Sequence, residues 1–198
     1  MSVCRSFVQI LPLIVVISLF LGIAGCFENN DLRQQWEETE AALSAHRTSL
    51  DNYLLVYTIG IDLWNIELGD GSVNSRILRT QLAREEGFLA DVSMKHRTLS
   101  GAVTRFFGAA QTLKGGGSAR ALEVAWDLRV YDEEMWNAQN ALIGRISSLS
   151  QYLDLADEGK GATAEALSYL ESANALSRDA AGAIGRADAA RARAESAY

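Results

Sequence analysis

Thiols are nearly missing from this chain. It has two cysteines, Cys4 and Cys26, and none from residue 27 onward. That long remainder can hold no disulfide staple, no cysteine-based metal site and no cysteine nucleophile. Proline is scarcer still, with Pro12 the single example, so after residue 12 no proline ring breaks a helix. Histidine is limited to His46 and His96. Basic charge is outnumbered, 18 Lys and Arg against 25 Asp and Glu. An acidic chain offers no footprint for nucleic acid and is repelled by anionic lipid headgroups. Strict apolar–polar alternation is absent, which argues against strands. So are a Gly-x-Ser-x-Gly elbow, a phosphate loop and His-Glu-x-x-His. No Cys-x-x-Cys-His is present, which excludes a covalently attached c-type haem. The expectation from these absences is a protein that is not an enzyme and carries no cofactor.

The first residues are the most informative part of what is present. Arg5 is followed by an apolar stretch, Phe7 to Gly22, interrupted only by Gln9, Pro12 and Ser18. A charged start, an apolar run and small residues at its end make a secretory signal peptide. The ending Ile23-Ala24-Gly25-Cys26 resembles the lipobox of bacterial lipoproteins. In that family the cysteine thiol is acylated, as with palmitate, and the chain is cut just before it. The resemblance covers the first 26 residues and implies lipidation at Cys26, with 1–25 as signal peptide and 26–198 as the exported domain. Two other readings stay open: an uncut anchor over 7–27, long enough to span a bilayer, or an ordinary secreted protein. Removing Arg5 leaves 17 basic and 25 acidic residues, a net charge of −8. The lipid rather than the protein surface then holds the domain at the membrane. Phe27 is not Asp, which in the best-known sorting pattern of that family implies the outer membrane.

Glycine punctuates the remainder. Clusters fall at Gly69-Asp70-Gly71-Ser72, Lys114-Gly115-Gly116-Gly117-Ser118 and Asp157-Glu158-Gly159-Lys160-Gly161. Glycine after a helix followed by Ser or Thr is a stop-then-start signal, with Ser72, Ser118 and Thr163 as expected N-caps. Four helices are predicted, at about 29–68, 73–113, 119–156 and 163–196. Apolar residues recur at spacings of four and three in each. The first seam runs Leu32, Trp36, Thr39, Leu43, His46, Leu50, Tyr53, Tyr57; the second includes Leu78, Leu82, Glu85, Leu89, Val92, His96 and Phe106. The third includes Ala125, Leu128, Asp132, Met135, Gln139, Leu142, Ile146. The fourth is thinner: Leu167, Leu170, Asn174, Ser177, Ala181, Ile184. This is the pattern of an all-α, up-down-up-down antiparallel four-helix bundle with coiled-coil-like seams. The anchor would place the 114–118 loop and the C-terminus toward the membrane, and the 69–72 and 157–161 loops at the distal tip.

In a tight antiparallel bundle, facing residues on the first two helices have numbers summing to about 141, and on the second and third to about 231. Trp36, Phe106 and Trp126 then fall at one level, as an aromatic core layer. His46 and His96 face each other, with Asp132, Glu133, Met135 and Asp188 at similar height. Imidazoles and carboxylates converging inside a bundle could hold zinc, iron or copper. Against this, the Glu-x-x-His pairs of di-iron bundles are absent, since Leu43 and Ser93 stand three residues before the histidines. A hydrogen-bonded layer that fixes helix register is the simpler reading. Glu85, also on a seam, either pairs with an arginine or faces a water-filled gap. Carboxylate pairs one apart, such as Glu133-Glu134, do not share a helix face. Arg178, Arg186, Arg191 and Arg193 form a mixed-charge face on the last helix, solvated or docked on a partner helix. The functional expectation is a membrane-tethered, non-catalytic scaffold or interaction module of the cell envelope, with an envelope protein as partner and self-association possible. The alternative is a metal-, haem- or small-ligand-binding bundle built on His46, His96, Asp132 and Glu133.

Overall fold

The computed structural model describes residues 30–69, 73–115 and 117–197. Within them lie four helices: α1 (Asn30–Gly69), α2 (Ser75–Thr112), α3 (Ser118–Asp157) and α4 (Ala164–Ser196). No strand occurs among the described residues. The elements match the glycine punctuation to within two residues. The signal segment, Cys26 and Ser72 lie outside the described residues. No helix among these is long and apolar enough to cross a membrane.

Two of the three expected caps need correction. Asn74, not Ser72, caps α2, its side chain accepting from the Ile77 amide at 3.3 Å. Ser118 is already inside α3, and Gly117 before it makes no side-chain cap bond. Thr163 does cap α4, accepting from the Ala166 amide at 3.3 Å. Gly159 ends α3 in the left-handed region at φ 75°. The Lys160 amide reaches back to Leu155 O at 2.8 Å and the Gly159 amide to Ala156 O at 3.0 Å. That pair of bonds is a Schellman motif, which favours glycine because it has no Cβ to strain.

Close backbone packing follows chain order: α1 on α2, α2 on α3, α3 on α4. Among the described residues α1 and α4 meet through side chains only, as when Arg47 bonds Asp188. The core is continuous along the bundle, from Leu32, Trp36 and Phe106 at one end to Trp64, Leu78 and Leu153 at the other. Trp36 packs edge-on against Phe106 with ring centroids 5.4 Å apart. Trp126 does not join that layer. It is 56% exposed and stands edge-on over Phe107 at 5.0 Å, with the Arg129 guanidinium 5.3 Å from its ring.

The α4 seam differs most from expectation. Its buried residues are Ala166, Ala173, Ala180, Ala187 and Ala194, with Ala183 and Ala190 between. The first five are spaced by sevens, a heptad stripe made of alanine. Leu167 is 48% exposed. Small side chains allow close approach of α4 to α3, because interaxial distance follows the size of the side chains between helices.

Candidate functional site

The predicted histidine pair does meet. His46 on α1 is fully buried and His96 on α2 nearly so, their ring centroids 5.4 Å apart. Each is on its helix's core stripe, and the antiparallel register sets them level. What surrounds them comes from α3. His46 Nδ1 lies 3.0 Å from the Tyr131 hydroxyl. His96 Nε2 lies 3.1 Å from the Asp132 carbonyl oxygen and 2.9 Å from its Oδ1. Asp132 Oδ2 accepts from Ser100 Oγ at 3.1 Å. The His96 ring stacks on Trp136 at 6.4 Å.

Proton positions follow from partners. His96 Nε2 faces two oxygens, so it carries the proton and donates. The Tyr131 hydroxyl is the partner of the His46 ring on Nδ1, and His46 Nε2 is a buried atom with no partner among the described residues. Burial, aided by repulsion from His96 and Arg47 and opposed by Asp132, lowers the His46 pKa to about 4. Burial likewise pushes the Tyr131 phenol up to about 12, against the pull of Arg47. His46 and Tyr131 are held neutral at the centre of the layer, and at its edge Arg47 reaches Asp188 on α4.

The four residues of the expected metal set do not converge. Glu133 is exposed, one residue round the helix from Asp132 and on another face. Met135 is buried but apolar surroundings take it up, and Asp188 is committed to Arg47. Among the described residues no three His, Cys, Asp or Glu side chains are grouped to hold a metal ion. Ser100 donates to Asp132 rather than to His96, so no direct serine–histidine pair forms in this layer.

A second buried polar layer lies farther toward the C-terminal end of α1. Glu85 on α2 pairs with Arg145 on α3, and both are essentially out of water. Of the two readings of Glu85, the arginine partner is the observed one. The Arg145 guanidinium also sits 4.6 Å from the Tyr57 ring. Gln81 Nε2 donates to Val56 O at 2.9 Å. Desolvation raises the Glu85 pKa and the facing arginine opposes it. Room for the carboxylate comes from Gly60 on α1: a Cβ there would lie 2.1 Å from Glu85 Oε1.

Neither Tyr131, Arg145 nor Gly60 was singled out from sequence. Arg145 carried a signal, since its number and that of Glu85 sum to nearly the value expected for facing positions on α2 and α3. Tyr131 sits two heptads before Arg145, on the same stripe. No known protein family, curated protein or solved structure matches the chain. Its chemistry is therefore read from these residues alone. Both layers pair polar groups between helices, which fixes register.

Proposed function

We propose that the chain is a membrane-tethered, non-catalytic lipoprotein whose four-helix bundle serves as a scaffold or protein-interaction module of a bacterial cell envelope. The observation that carries this is the sequence Ile23-Ala24-Gly25-Cys26 behind the apolar run Phe7 to Gly22. The bundle supports it in a general way: it has a long apolar core, and Glu85 with Arg145 and His96 with Asp132 pair inside it. With α1 starting just after Cys26, the 114–118 loop and the C-terminus would lie toward the membrane and the 157–161 loop away from it. An envelope protein would be met on the exposed helix faces. Growth with an alkyne-bearing fatty acid tests the tether. Label is expected on the wild-type chain and absent from the Cys26→Ala variant; equal label on both would contradict lipidation at this cysteine.

A second reading rests on one atom. His46 Nε2 is buried without a partner, 5.4 Å ring to ring from another histidine, and such an atom is a candidate metal ligand. Elemental and absorbance analysis of protein purified without a histidine tag decides it. Near-stoichiometric metal that disappears in the His46→Ala, His96→Ala double variant would favour the binding bundle.

A further inference from the structure

A run of exposed apolar side chains lies on the outer side of α1 toward its C-terminal end. Leu55, Ile59 and Ile66 are 64%, 46% and 59% exposed. With Asp62 they recur at spacings of four, three and four, which is one helix face. That face is turned away from the buried stripe of His46, Tyr53 and Trp64. Beside it runs a groove of about 530 Å³ between α1 and α2, where Leu63 and the 42%-exposed Ile77 form the floor and Arg76 and Arg84 the α2 rim.

The charges make this surface complementary to itself. Asp62 stands on the α1 side and the two arginines on the α2 side. None of the three forms an ion pair among the described residues, although most other arginines of α2, α3 and α4 do. Arg79, between the two rim arginines in sequence, turns away to Asp154 and Asp157. By the antiparallel register Asp62 lies between Arg76 and Arg84 in height. Two copies side by side, related by a twofold axis along the bundle, would set each α1 stripe against the other's groove. Each Asp62 would then face the rim arginines of its neighbour, and the axis would pass the apolar residues close to their own counterparts.

We propose that the α1–α2 outer face is a homodimer interface, with a second copy of this chain, in parallel orientation, as its occupant. The expectation of possible self-association thereby acquires a surface, on α1 and α2. The inference uses the bundle surface alone and stands whether or not Cys26 is acylated. If it is, confinement to one membrane raises the effective concentration of partners.

The test uses the full chain in detergent, with Cys4 and Cys26 replaced by serine so that the probe is the only thiol and lipidation plays no part. Ile59→Cys and Ile66→Cys are each expected to give a disulfide-linked dimer under mild oxidation. Ile143→Cys on α3 and Leu167→Cys on α4, similarly exposed, are expected to stay monomeric. Failure of both α1 probes in protein whose helical circular dichroism is unchanged would overturn the interface, and so would equal or preferential linkage at 143 or 167. Charge reversal gives an independent reading by sedimentation. Asp62→Lys alone, or Arg76→Glu with Arg84→Glu, should weaken self-association by roughly tenfold or more, and combining all three should restore it. Three variants that sediment like the wild type would contradict the proposal.

Discussion

A single missing side chain makes the Glu85–Arg145 pair possible. Gly60 lets the carboxylate lie against α1, and nothing in the sequence of α1 alone advertises that need. Gly60→Ala would place a methyl group 2.1 Å from Glu85 Oε1 and 2.9 Å from Gln81 Nε2. Displacing the carboxylate leaves a buried guanidinium short of its counter-charge. The expected net cost is about 2–3 kcal/mol, after a gain of ~1 kcal/mol from alanine's helix preference. Urea unfolding followed by circular dichroism measures it, and a variant as stable as wild type would show that the pair tolerates displacement.

The histidine layer makes a prediction of opposite character, in pH rather than in volume. The folded-state pKa of His46 is lowered, from 6.5 to about 4. Between those values the unfolded chain binds the proton and the folded chain does not, so stability is present above pH 6.5 and falls as pH falls toward 4. At pH 5 the loss from this group is about 2 kcal/mol relative to pH 7.5. Burial holds the ring neutral, with His96 and Arg47 adding to it and Asp132 pulling the other way, while Tyr131 faces Nδ1. Removing the ring by His46→Leu should abolish that component of the pH dependence. Wild-type and variant stability curves that run parallel from pH 7.5 to 5 would contradict the assignment.

At the scale of helices, the sequence was legible where large side chains mark the core and illegible where small ones do. Leu43, Leu50, Leu82, Leu89 and Leu142 are all where the four-and-three spacing put them, buried. On α4 the leucines misled, because alanine is mild in hydropathy and its periodic burial is only evident once α3 is seen against it. Trp126 failed for a related reason. A large aromatic was assigned to the interior, but its angle round α3 is toward the outside of the α2–α3 groove, where Phe107 and Arg129 cover part of it. The α4 correction is testable. Ala180→Leu should overpack the α3–α4 interface and cost about 1–3 kcal/mol. Leu167→Ala, at a half-exposed position, should cost under ~1 kcal/mol. Thermal unfolding of the two variants that ranked them the other way would restore Leu167 to the core.

For the molecule as a whole, the antiparallel register was the strongest inference from sequence, since it brought His46 to His96 and left room for Asp132 beside them. It worked because the loops are short, so residue number converts directly to height along the bundle. The closing of α1 onto α4 by side chains was beyond it: periodicity gives faces, not distances between axes. The fold explains how the bundle stands without disulfides, through a long apolar core pinned at two levels by polar pairs. Its acidic surface gives it no electrostatic hold on an anionic membrane. The account therefore depends on the N-terminal residues to place the bundle.

The mass of the mature protein extracted from native membranes tests that dependence most directly. The account predicts a chain beginning at Cys26, lacking residues 1–25 and heavier than residues 26–198 by covalently bound acyl chains. A chain that retains residues 1–25 intact, or one that begins at or near Cys26 with no added mass, would contradict it.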